Sequence, residues 1–231
     1  MSVLSYFVAF MKLMTSASRS GRRDRNMSDK QASIFQAAAG LFDERGYSCV
    51  TTQAISERAD VAVGTLFRYA ASKDELLLMV LNQALHAGLT EGAKRARALR
   101  DPVDVVVEMV TPILHLGHRH AENLAVYQRQ LMFGPPGEKY RSEGLALLAR
   151  LEAAVAARLL EQAAARGLPA RPELARVASI SVFGAAHLAV SRASTGAHPD
   201  HAPMDDVRAQ VRQIVDGYFA GLATDTTKGA P

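Results

Sequence analysis

From Glu143 to Gly167 the chain reads EGLALLARLEAAVAARLLEQAAARG, a continuous Ala/Leu run of the kind that folds as one long helix ending at its glycine. The same 3.6-residue period recurs elsewhere. Ile34, Ala38, Leu41 and Phe42 fall at i, i+4, i+7 and i+8. Val207, Val211, Ile214, Tyr218 and Leu222 mark another apolar stripe near the C-terminus. Apolar residues make up 48% of the 231 residues but aromatics only 6%, with little of the β-branched and aromatic enrichment that strands require. The expectation is an all-α chain of about nine helices, long enough to bury a core without disulfides or metal.

Breakers and caps divide it. Gly46 follows the first apolar face and suits a left-handed helix end. Thr51 can cap a second helix, TQAISERA, whose Ile55 and Ala59 face inward. After DVA a third short helix spans Val63 to Tyr69. Ser72 caps a fourth, with Asp74 and Glu75 in its first turn. Asp101–Pro102 opens the next. A helix around Glu122–Phe133 stops at GPPG, and ELARVASISVFGAAHLAVSRA follows the LPARP linker.

Two short helices joined by a tight turn and braced by longer ones form a helix-turn-helix pattern. In that arrangement the second short helix enters the DNA major groove. Gly64 and Thr65 are small enough for close approach, and Arg68 lies one turn beyond Thr65 and can reach a guanine or a phosphate. Lys73, Thr51 and Thr52 suit phosphates. Gln53, Val63, Phe67 and Tyr69 complete the candidate DNA-facing set, while Leu66 and Ile55 hold the two helices together. Charge agrees with a polyanion partner. Residues 1–100 hold 14 Lys or Arg against 9 Asp or Glu, and residues 101–231 hold 13 against 14.

IFQAAAGLFDERGY followed by TTQAISERADVAVGTLFRYAASKDELL resembles the TetR family of bacterial transcriptional regulators. The resemblance covers residues 29–78. Five positions depart from the family pattern: Asp60 stands for Gly in the turn, Ala62 for the Ser cap, Phe67 for Tyr, Ala70 for Phe and Val50 for Thr. Together they read as a weakened or atypical DNA reader. The resemblance implies an N-terminal DNA-binding domain over 27–78 and a helical ligand-binding and dimerisation domain over 79–224. It also implies that the last two helices build a homodimer. Candidates there are Ala178, Ser181, Gly184 and Ala185, with Val207, Val211, Ile214, Tyr218 and Leu222. A small-molecule pocket is implied among the middle helices, with Met109, Ile113, Leu116 and Tyr127 as candidates, and Met132, Phe133, Phe183 and His187 beside them.

The functional expectation is a ligand-responsive repressor that binds double-stranded DNA at a palindromic operator as a homodimer. A small-molecule effector would release it. The alternative is a TetR-like small-molecule binder whose DNA recognition is weakened or lost. No nucleotide-binding, metalloprotease or hydrolase motif is present, so no enzyme, catalytic residue or cofactor is expected. HLGHRH places His115 and His118 on one helical face, but no third ligand is close in sequence, and no metal is expected. The single cysteine, Cys49, excludes a disulfide framework and points to a reducing, cytoplasmic setting. The apolar dozen at the N-terminus is too short to span a bilayer. Residues 1–26 read as a disordered or weakly amphipathic extension, or as sequence upstream of a start at Met27. The tail 225–231 reads as disordered.

Overall fold

The computed structural model describes residues 22–116, 120–195 and 202–228. Among them every regular element is helical: α1 (Arg22–Arg45), α2 (Thr52–Arg58), α3 (Val63–Leu66), α4 (Lys73–Ala96), α5 (Pro102–His115), α6 (Ala121–Phe133), α7 (Lys139–Ala164), α8 (Pro172–Thr195) and α9 (Pro203–Lys228). The all-α expectation and its nine elements are met. Two ends differ from the sequence reading. The backbone of α1 is already helical at Arg22, and α9 continues beyond Leu222 to Lys228. α3 is shorter than expected, one α-turn followed by the turn residues Phe67–Tyr69.

The helices group into two compact units. The first takes the described residues up to Ala87 together with Leu116–Leu145, and the second takes Gly88–His115 with Ala146 onward. α6 and the start of α7 therefore belong with the N-terminal helices, a grouping that sequence order hides. Buried polar bonds explain it. The Asn82 amide donates to the Tyr140 carbonyl at 2.7 Å, and the Tyr127 hydroxyl donates to Asn82 Oδ1 at 2.8 Å. The buried Glu75 carboxylate accepts from the backbone N–H groups of Tyr140 (3.1 Å) and Arg141 (3.3 Å) in the first turn of α7. A helix start leaves such groups unpaired, and a carboxylate there also suits the helix dipole. Gly144 seals the contact, because a Cβ there would crowd Leu131 and Asn82.

In the second unit α8 and α9 pack on each other and on α5. Pro112 lies inside α5 and lacks the N–H that would bond the Glu108 carbonyl. Gly92 lies against that carbonyl and Gly88 against the proline ring, so this part of α4 can approach closely. Arg95 pairs with Glu108 at 2.5 Å. Arg208 pairs with Asp104.

The inward side of α9 is Val207, Val211, Val215, Tyr218 and Leu222, all buried. This corrects part of the expected dimer surface. Val207, Val211, Tyr218 and Leu222 are core of their own chain, as are Ala178 and Ala185. Ile214 is half-buried, and Ser181 and Gly184 are exposed. An i, i+4 stripe identifies an apolar face but not which neighbour covers it. Among the described residues of this unit, the large apolar residues left outside are on α8: Leu174, Val177, Ile180 and Leu188. By length and composition alone, Pro172–Arg192 is also apolar enough to cross a membrane.

Candidate nucleic-acid interface

Three helices build the candidate reader. α1 buries Ile34, Phe35, Ala38, Leu41 and Phe42. Its end is set by Gly46, at φ +75°, whose N–H reaches the Phe42 carbonyl at 3.1 Å. The chain then extends to Thr51, whose Oγ1 accepts from Ala54 N at 3.1 Å and caps α2. Ser33 on α1 donates to the Ala59 carbonyl at 2.8 Å, tying the end of α2 to α1. Arg58 closes a two-pronged pair with Glu44, both contacts 2.8 Å, and this guanidinium holds the Glu44 carboxyl below its ordinary range.

The turn between α2 and α3 passes through Asp60 at φ +52°, the left-handed region that glycine enters freely. Ala62 begins α3 without a side-chain cap. Leu66 and Ile55 are fully buried, as expected for the residues that lock the two helices together. Ala70 is buried beneath them.

The expected DNA-facing residues divide by exposure. Thr51, Gln53, Gly64, Phe67 and Arg68 are exposed, and Thr52, Val63, Thr65 and Tyr69 are half-buried. Gln53 donates to Glu57 at 2.8 Å. Apart from its chain neighbours and the backbone of its own helix, no heavy atom lies within 4 Å of the position a Cβ on Gly64 would take. The surface above α3 is therefore open to a large partner.

Lys73 needs correction. Its ammonium donates to the carbonyls of Tyr47 (3.1 Å) and Val50 (3.0 Å) and sits 3.9 Å from the centroid of the Tyr47 ring. These bonds fix the loop ahead of α2 and turn the charge toward the protein rather than toward a phosphate. The next residue, Asp74, accepts from the Tyr47 hydroxyl and from Gln130 Nε2 at 2.5 Å. Burial and that hydrogen bond push the Tyr47 phenol up to about 12.

α6 braces the same loop. Asn123 donates to the Phe42 carbonyl at 2.9 Å, and the Glu122 carboxylate accepts from the Ser48 hydroxyl (2.5 Å) and backbone N–H (3.3 Å). A side chain on Gly46 would collide with Glu122. Sequence reading missed Tyr47, Asp74, Glu122 and Asn123, because their partners lie 27 to 81 residues away. Only the Gly-Tyr pair at 46–47 hinted at a role.

The ligand candidates divide between the two units. Leu116, Tyr127, Met132 and Phe133 fall in the first unit, and Met109, Ile113, Phe183 and His187 in the second. Phe133 is corrected outright. It ends α6 with the residue 84% exposed, so it lies outside the core of its unit. Tyr127 is committed to Asn82, and burial raises its phenol. The Phe183 and His187 rings lie tilted at 40° with centroids 5.8 Å apart, and burial lowers the imidazole. His118 lies outside the described residues, and no metal-binding group of three occurs among those described.

Comparison with known proteins gives this geometry a context. Residues 34–80 match the family model of the bacterial regulatory proteins of the tetR family. The transcriptional repressor KstR of Rhodococcus jostii (strain RHA1) is 45% identical over 53 residues, which are 23% of this chain and 25% of that protein. The transcriptional regulator HbdR of Aromatoleum sp. (strain CIB) is 30% identical over 76 residues, 33% of each. The chain thus spans about a quarter to a third of the length of the curated relatives it matches. Solved structures share the fold over a longer span. Thermus thermophilus FadR, a TetR family repressor crystallised with lauroyl-CoA, superposes with a TM-score of 0.64 at 21% identity, over 80% of this chain and 93% of that one. The fatty acid degradation regulator FadR of Bacillus halodurans gives 0.56 at 19% identity, over 87% and 98%.

Proposed function

We propose that this chain, whose residues 34–80 match the family model of the bacterial regulatory proteins of the tetR family, is a DNA-binding transcriptional repressor. It acts as a homodimer on a palindromic operator and is released by a small molecule. The observation that carries this reading is the reader itself. Within residues 34–80, α2 and α3 are locked by Ile55 and Leu66, while Gly64, Phe67 and Arg68 stand open on the other side. Arg68 is the base or phosphate contact, Thr65 the hydroxyl beside it, and Thr51 and Thr52 the phosphate contacts at the start of α2.

The dimer surface is the outward side of α8. Leu174, Val177, Ser181, Gly184 and Leu188 alternate at spacings of three and four, with Ile180 beside them. This is the seam of a helix that packs on another helix. The opposite side of α8 packs on α9 and α5, so the helix lacks the all-round apolar surface a bilayer requires. A soluble cytoplasmic dimer is the reading that follows. Release by a small molecule draws on fold likeness to FadR of Thermus thermophilus, which carries lauroyl-CoA, and leaves the ligand class open.

A second reading, a small-molecule binder with impaired DNA recognition, draws on the uncapped Ala62 and the left-handed Asp60. One experiment separates the two. The full chain is mixed with a random duplex library at low salt, and bound duplexes are amplified and sequenced. A palindrome with half-sites about 34–36 Å apart, or a multiple of that, supports the repressor. Absence of any enriched sequence rejects it in favour of the second reading.

A further inference from the structure

The surface that α3 presents is poor in hydrogen-bonding groups. Ala62, Gly64, Phe67 and Arg68 are exposed there, and Val63, Thr65 and Tyr69 are half-buried. Val63 and Phe67 stand one turn apart on the same side, with the open Gly64 next to them. Phe67 leaves 45% of its surface in solvent, although it sits against a domain that buries Ile55, Leu66 and Ala70 fully or nearly so. Its ring has no hydroxyl, so it cannot donate to a phosphate. Base edges in the major groove offer one apolar group that such a ring can cover, the 5-methyl of thymine.

Given the DNA-binding reading, we propose that Phe67, backed by Val63, reads thymine methyl groups. Specificity at those positions then rests on the methyl rather than on a hydrogen bond, and each half-site carries thymine opposite the ring. Arg68 and Thr65 supply the polar contacts at neighbouring positions. The clear space over Gly64 lets the α3 backbone come close enough for a short apolar contact.

The test uses the duplex recovered by selection with the full chain. Each thymine of one half-site is replaced in turn by deoxyuridine, which deletes the methyl and leaves every hydrogen-bonding group. Affinity is measured by fluorescence anisotropy at one salt concentration. Removing a buried methyl lowers affinity about fourfold at the contacted position. In Phe67→Ala the thymine and uracil duplexes bind equally at that position, and in Phe67→Leu a preference for thymine persists. Because Phe67 is exposed, both variants should fold, which circular dichroism checks. Equal binding of every uracil duplex by the natural chain overturns the proposal. So does a methyl dependence that Phe67→Ala leaves intact, which assigns it to another residue. Failure to recover any site rejects the DNA-binding reading itself, and this inference with it.

Discussion

The Lys73 ammonium lies between two carbonyls and an aromatic ring, so its loss strands the Tyr47 and Val50 oxygens. Replacing Lys73 by Met keeps most of the stem and removes the bonds. Hydrogen bonds to a charged group contribute about 1.5–3 kcal/mol each context-dependently, and the variant should lose about that much in total in urea denaturation. A phosphate contact would instead leave stability unchanged and lower the salt slope of DNA binding by about one unit. Asp60 offers the opposite sign. At φ +52° a non-glycine residue bears about 1–2 kcal/mol of strain, part of which glycine gives back as unfolded-state freedom. Asp60→Gly should therefore raise stability by about 0.5–1 kcal/mol, and an unchanged or lower denaturation midpoint would show the turn to be unstrained. At this scale the sequence was readable wherever the cause was local. The Gly46 helix end and the Thr51 and Ser72 caps depend on residues within a few positions, and each is formed. Lys73 misled because its partners are 23 and 26 residues away.

Among the elements, α7 depends on α4 for its start. Glu75 is buried and caps the Tyr140 and Arg141 N–H groups, and burial raises its carboxyl above the ordinary carboxylate range. The folded state therefore holds this proton more tightly than the unfolded chain does. Its contribution is complete below the ordinary carboxylate value and declines as pH rises through the raised folded value. Thermal melts across that interval should show the decline, and Glu75→Gln should flatten it. A slope that survives the substitution would assign the titration elsewhere. α3 has the opposite defect, since Ala62 supplies no cap. Ala62→Ser should add about 1 kcal/mol if the new hydroxyl accepts from the first turn. Denaturation without gain would mean that the turn at Asp60 prevents that geometry. Helix number and order were legible from the 3.6-residue period. The placement of α6 beside the reader was not, because it rests on Asn123 and Glu122 finding Phe42 and Ser48 through tertiary packing.

For the whole molecule, apolar stripes were visible in the sequence, but the side left uncovered was not. The Val207–Leu222 stripe is consumed inside the chain, and the outward residues of α8 remain. Val177→Glu combined with Leu188→Glu places two charges on that side without touching the core. Light scattering should then read a monomer while circular dichroism stays that of the natural chain. A dimer that persists would move the interface elsewhere. The central claim, that α3 reads DNA sequence, is tested most directly by one affinity ratio. Anisotropy at a single physiological salt concentration compares the selected duplex with a scrambled one, for the natural chain and for Arg68→Ala. The natural chain should favour its site by roughly a thousandfold or more, and Arg68→Ala should lose about 1–3 kcal/mol of that preference. Equal affinity of the natural chain for both duplexes would contradict it.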